Sequence, residues 1–198
     1  MRKNQKPFVA AISLIGAGIL LSSRKAKAYR PSSIVTHDGD GVTLGSEIIS
    51  EFEGFSAEPY LDPVGIATIG YGTTVYPGGE KVSISDAPIS HDAAVGYLND
   101  YVYRKIIPAL SSSIGRWGSF DNGEKAALIS FAYNLGPNFY GRSGFKTISS
   151  ALDSEGYKSE VPEAITLYDK AGGKQLAGLV RRRAYEAEVW RTGAHPSL

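Results

Sequence analysis

The chain reads as an α+β protein. Three observations predict this class: an amphipathic helical stretch that stops at Gly54, a short glycine-punctuated β-prone stretch over 59–75, and helix-period hydrophobics from Ser90 to about residue 191. One small sheet followed by a run of helices is the α+β signature. A chain of 198 residues can bury one good core. The division expected is a small lobe over about 46–90 and a larger all-helical lobe over about 91–193, after a 29–45 linker and before a 194–198 tail.

Arg2, Lys3 and Lys6 precede an apolar run over 8–21, and Ala26-Lys27-Ala28 fits the small-x-small rule for cleavage before Tyr29. The run falls short of the ~20 residues that cross a bilayer, which suits the apolar core of a signal peptide. An interfacial amphipathic helix fits worse, because no polar stripe interrupts the run. Residues 31–45 are loop-like, with Pro31, Ser32-Ser33 and Asp38-Gly39-Asp40-Gly41 as breakers.

Ile48, Ile49, Phe52 and Phe55 recur at helical spacing, so a helix is predicted over 46–53. Ser46 can cap its start, and Gly54 suits the left-handed position past its end. Residues 59–75 form the sheet, Pro77-Gly78-Gly79 is a turn and 80–89 is irregular. A helix over about 91–107 follows, with Ser90 as cap and Pro108 as stop. Asp121 opens the next helix, with Glu124 three residues on in capping-box position. Leu128, Ile129, Phe131, Ala132 and Leu135 make that helix apolar on most faces, hence a buried core helix, and Gly136-Pro137 ends it. Further helices fall near 145–154, 160–170 and 175–191. No internal repeat or low-complexity tract interrupts the chain.

Composition narrows the function. A formal net charge of +1 argues against a nucleic-acid partner. The chain has no cysteine, so disulfides, thiolate metal sites and thiol switches are excluded. His37, His91 and His195 lie far apart and form no metal-spacing motif, so no metal or other cofactor is implied and surface roles are expected for all three.

The candidate chemistry sits between residues 53 and 72. Glu53 falls in the last turn of its helix, where the negative end of the helix dipole disfavours a charged carboxylate. That is the bias a general acid needs. Asp62 precedes Pro63 and Gly65 in a tight turn, where better solvation keeps a carboxylate ionised. Thr68 lies six positions further on. Two carboxylates in different environments suit glycoside cleavage, one protonating the leaving oxygen and the other handling water or the cation. Spacing alone is weak, since 20 acidic residues in 198 give roughly two such pairs by chance. Each residue also has a plainer role: a solvated helix end, a turn brace and an ordinary strand former.

Taken together, Glu53, Gly54, Tyr60, Asp62, Gly65, Thr68-Ile69-Gly70 and Gly72 resemble the N-terminal signature of phage-type lysozymes, the muramidases of glycoside hydrolase family 24. Ala132-Tyr133-Asn134-Leu135-Gly136, Gly144-Phe145 and the stretch from Ala171-Gly172-Gly173 through Gly178-Leu179-Val180-Arg181-Arg182-Arg183 to Glu186 and Trp190 extend the resemblance over most of the chain. It implies a lysozyme-like fold with a cleft between the lobes and a monomeric enzyme acting on peptidoglycan. The bond cut would be the β-1,4 bond between N-acetylmuramic acid and N-acetylglucosamine. By resemblance, Glu53 is the acid, and Asp62 and Thr68 hold the attacking water or stabilise the cation in an inverting route. Arg182 is implied near Glu53, and Tyr133 and Asn134 at the sugar, against core packing and helix capping as their plainer roles. One departure is that Thr73-Thr74 follows Gly72 where many members carry histidine.

The resemblance also adds a second reading of 1–28, as a signal-arrest-release anchor that holds the enzyme in the inner membrane until it slips free. Gly16 and Gly18 make the segment weakly apolar, and Arg24, Lys25, Lys27 and Arg30 oppose the usual charge bias of an exported tail. Cleaved signal and releasable anchor both stay open, and both send the enzyme out of the cytoplasm to the periplasm and wall. Two other classes remain beside the hydrolase. A lytic transglycosylase would use one glutamate and leave 1,6-anhydro ends. A non-catalytic peptidoglycan-binding protein would release nothing.

Overall fold

The computed structural model describes residues 41–196, and the segment read as signal or anchor, with its partner membrane, lies outside them, as does His37. In chain order the elements are α1 (Val42–Glu53), β1 (Ser56–Leu61), β2 (Ala67–Gly70), α2 (His91–Tyr101), α3 (Ile107–Ser113), α4 (Asn122–Leu135), α5 (Lys146–Asp153), α6 (Tyr157–Thr166), β3 (Lys170–Ala171), β4 (Lys174–Gln175) and α7 (Ala177–Thr192). The class expected from the sequence, α+β with mostly helical mass, is the class observed.

α4 is the hub. Asp121 and Glu124 form the full capping box, each side chain accepting the other's backbone N–H at 2.9 Å. Leu128, Ile129, Phe131 and Ala132 are wholly buried. α1 and α7 both pack on α4, and α6 packs on α7. α1, assigned to the small lobe in the sequence reading, thus lies against the central helix of the large one. Gly45 lets α1 approach closely, since a Cβ there would stand 2.9 Å from the Ile129 Cγ2.

Several boundaries differ from expectation for physical reasons. α1 starts at Val42, not 46: Gly41 begins it in the left-handed conformation (φ 64°), and no side chain caps it. Ser46 is inside the helix and buried, its hydroxyl donating 2.7 Å to Asn99 Oδ1. Ser90 does cap α2, accepting from the Ala93 amide at 3.2 Å. Pro108 does not stop the helical path. Val102–Ile106 widens into a π-turn, with the Ile107 amide bonded to the Val102 carbonyl five residues back, and α3 continues with Pro108 in its first turn. A wide turn gives the proline ring room against the preceding carbonyls.

α6 ends at Thr166 instead of near 170, because 170–175 is a β3–β4 hairpin around Gly172 (φ 58°) and Gly173 (φ 79°). Two consecutive positive φ values are the demand of a tight two-residue hairpin turn. Inside α6, Pro162 lacks the N–H that would bond the Lys158 carbonyl, and Trp190 Nε1 donates to that carbonyl at 3.0 Å instead. Trp117 is partly buried and packs edge-on to Phe120.

Candidate active site

α1 delivers Glu53 as its last residue, and Gly54 turns the chain at once into β1. Gly54 has φ 70° and ψ 155°, so the φ is positive as expected, but the backbone is extended in a mirror-β conformation rather than left-handed helical. The β1–β2 hairpin is antiparallel, pairs Tyr60 with Thr68, and carries an irregularity between Ser56 and Tyr60.

At the hairpin's tip Asp62 is knotted into its own loop. Its amide donates to the Ile66 carbonyl, and its Oδ1 accepts the amides of Val64 (2.9 Å) and Ile66 (2.8 Å). Thr68, 4% exposed, donates its hydroxyl to the Ile66 carbonyl at 3.0 Å. The peptide groups of Ile66 therefore join the two side chains from opposite sides. Both amide bonds fall on Oδ1, which leaves Oδ2 outside them, and Thr68 spends its proton on a carbonyl, so its oxygen is oriented to accept. The turn-bracing role of Asp62 is thus present, and it fixes the carboxylate instead of excluding it from chemistry.

Glu53 is anchored from the other end of the chain. Arg182 of α7 donates Nη1 to Glu53 Oε1 at 2.5 Å, Nε to Glu186 Oε1 at 3.1 Å, and Nη2 to the Ser130 carbonyl and hydroxyl at 3.1 and 3.2 Å. Glu53 retains 14% side-chain exposure, whereas Arg182 retains 3%. Burial alone would lower the Arg182 pKa, but the charges of Glu53 and Glu186 outweigh it and the net direction is up. Of the arginine triplet, Arg181 takes the solvated face and Arg182 and Arg183 point inward.

Tyr133 of α4 stands within electrostatic reach of Glu53 and Arg182. Its hydroxyl donates 2.6 Å to the Tyr71 carbonyl, bonding α4 to the segment after β2. Burial, then the Glu53 charge, raises its pKa far above the ordinary tyrosine value. Tyr101 of α2 packs edge-on against it at 5.7 Å and stays 41% exposed. Asn134, expected at the sugar, is instead 3% exposed, and its Oδ1 accepts from Arg183 Nη2 at 2.7 Å. That is the core role weighed against sugar contact. Arg182, implied near Glu53, is likewise interior and bonds to it. Thr73, at the departure from the common pattern, exchanges both backbone hydrogen bonds with Ile69 at 2.9 Å.

Sequence reasoning missed Ser130 and the part played by Arg183 and Glu186. Glu186 is wholly buried, accepts the Ser130 hydroxyl at 2.6 Å and pairs with Arg183 Nη1 at 3.0 Å. The signal available was spacing: Arg182 and Arg183 lie four and three residues before Glu186 on one helix. His91 and His195 lie at the surface, bonded to Tyr71 and to Tyr185 and Glu47. Among the described residues, no group of three His, Cys, Asp or Glu side chains could hold a metal.

A carboxyl group at a helix end, clamped by a buried arginine and followed by a hairpin with a braced aspartate and threonine, offers two carboxyl groups in different surroundings, the set that acid–base cleavage of a glycosidic bond calls for. Residues 50–186 match the phage lysozyme family, and the chain belongs to it. A SAR-endolysin of Bacteriophage PS34 is 28% identical over 172 residues, covering 82% of this chain and 93% of the relative. Among solved structures, an endolysin from Escherichia coli O157:H7 phage FAHEc1 superposes with a TM-score of 0.61 at 29% identity, over 77% of this chain and 94% of that one. The muramidase domain of SpmX from Asticaccaulis excentricus gives a TM-score of 0.61 at 25% identity, over 75% and 95%. The fold is lysozyme-like, and the protein is a lysozyme-type glycoside hydrolase.

Proposed function

We propose that the enzyme hydrolyses the β-1,4 bond between N-acetylmuramic acid and N-acetylglucosamine in peptidoglycan, acting as a monomeric endolysin. Glu53 gives its proton to the glycosidic oxygen, and Arg182 stabilises the carboxylate left behind. Asp62 accepts a proton from the attacking water while the Thr68 oxygen orients that water, which adds to the sugar carbon with inversion. The observation that carries this reading is the pairing of Glu53 with Arg182 beside a hairpin whose Ile66 peptides hold Asp62 and Thr68 together. Tyr133 lines the same site, with its hydroxyl held by Tyr71.

The test is mass spectrometry of purified peptidoglycan after digestion by the full chain. Reducing muramic-acid ends, lost in Glu53→Gln, are expected. Anhydro ends would replace hydrolysis with transglycosylation, and full activity in Glu53→Gln would remove Glu53 as the acid. Asp62→Asn should lose at least a hundredfold in rate, the scale of general acid–base contributions, while melting like the parent, because an amide oxygen can still accept from Val64 and Ile66.

We also propose that residues 1–28 take the enzyme through the inner membrane to the wall, as the SAR-endolysin relatives suggest by name. N-terminal sequencing of the periplasmic protein separates the two forms of this reading: a start at Tyr29 means cleavage, and an intact start means a released anchor.

A further inference from the structure

Four charged side chains alternate in sign through the wall behind the site: Glu53, Arg182, Glu186 and Arg183. The last three are 3%, 0% and 1% exposed, so burial does not screen them as water would. Catalysis by Glu53 explains Arg182 but not the other two. A cation bonded to a single carboxylate favours its ionised form, and an ionised carboxylate cannot donate a proton. Here the arginine is divided: Nη1 serves Glu53 and Nε serves Glu186. Glu186 is in turn held by the Ser130 hydroxyl and by Arg183, and Asn134 receives the other end of Arg183.

We propose that Glu186 is a positioning residue for Glu53, a buried counter-charge that takes up part of the Arg182 cation and so sets how readily Glu53 holds its proton at working pH. The inference rests on Glu53 being the general acid. Arg183 acts in the opposite sense, since its cation adds positive potential at Glu53. Tyr133 of α4 faces Glu53 and Arg182, and Tyr60 of β1 and Tyr101 of α2 in turn face Tyr133. Tyr133 is neutral at these pH values, because burial and the Glu53 charge both disfavour its anion. Ser130 of α4 bonds both Arg182 and Glu186, and so fixes the distance over which the charge is shared.

The experiment is the pH–rate profile of the full-length enzyme on purified peptidoglycan. The alkaline limb reports loss of the proton from the general acid. Glu186→Gln keeps the size and an acceptor for Arg182 Nε but removes the charge, so the limb should move to lower pH by about one unit, with about a tenfold loss of kcat/KM on the alkaline side and near-parental rate at the acid end. Arg183→Gln should move the limb the other way. Glu186→Asp, which keeps the charge, should restore the parental limb. A uniform fall at all pH values with an unmoved limb in both Gln variants would overturn the proposal and leave Glu186 structural. If Glu186→Gln does not fold, Glu186→Asp and Arg183→Gln decide by the same readout: a parental limb in the first with an upward shift in the second supports the proposal, and no shift in the second overturns it. Glu53→Gln separates the two levels. An active Glu53→Gln refutes the acid assignment itself, whereas an inactive one with unmoved limbs elsewhere refutes only the role of Glu186.

Discussion

Replacing Arg182 by methionine removes the cation shared by Glu53 and Glu186 while filling most of its volume. The guanidinium makes four hydrogen bonds from a position 3% exposed. Its removal leaves the wholly buried Glu186 with Arg183 and Ser130, and Glu53, 14% exposed, without a cation. Orphaning one partner of a buried ion pair costs about 3–5 kcal/mol. Residual solvent at Glu53 and the retained Arg183 place this case at the low end, about 3 kcal/mol. At about 2–4 °C per kcal/mol for a domain of this size, Tm should fall by roughly 6–12 °C. Calorimetry and urea unfolding at neutral pH read it directly. Arg181→Met, one residue away on the solvated face, should stay within about 0.5 kcal/mol of the parent. Adding Glu53→Gln to Arg182→Met should recover part of the loss, because the orphaned charge is gone. A loss below about 1 kcal/mol for Arg182→Met would refute the reasoning, since that is the scale of a solvent-screened surface pair.

Gly123→Ala should destabilise by about 1–3 kcal/mol, seen as a lower urea midpoint, although alanine is the better helix former. Its Cβ would stand 2.5 Å from the Gly193 Cα and 2.7 Å from the Val189 carbonyl oxygen, backbone atoms that cannot rotate away. Alkaline unfolding should steepen above pH 10, and Tyr133→Phe should flatten it. The Tyr133 pKa is raised from 10.0 by burial and by Glu53, so above pH 10 the unfolded chain binds fewer protons than the folded one, and stability falls as pH rises. Urea titrations between pH 8 and 11 check both the sign and the residue.

The parts of this molecule legible in its sequence are those that close within a few residues. The Asp121–Glu124 capping box and the Ser90 cap each bond three positions along the chain, so residue type and spacing suffice. α4 was legible as core because apolar residues occupy most faces of it. What failed were signals with a local and a distant use. Ser46 has the chemistry of a cap, but its hydroxyl is taken by Asn99, 53 residues away, and the helix starts earlier on an uncapped glycine. Asn134 has the chemistry of a sugar contact, but Arg183 claims it from 49 residues away. Pro108 has the chemistry of a stop, but a π-turn in the preceding residues absorbs its ring. The site shows the same division. Asp62, Ile66 and Thr68 are held by bonds spanning four residues or fewer, whereas Glu53 and Arg182 meet across 129. No local periodicity specifies that meeting; it was available only as a likeness to a family. Glu186 lay between the two cases. Its i,i+3 and i,i+4 spacing to two arginines was visible, but on an exposed helix that spacing means a weak surface pair. Only burial, which depends on α4 and α7 packing together, turns the same spacing into a charge network behind the acid.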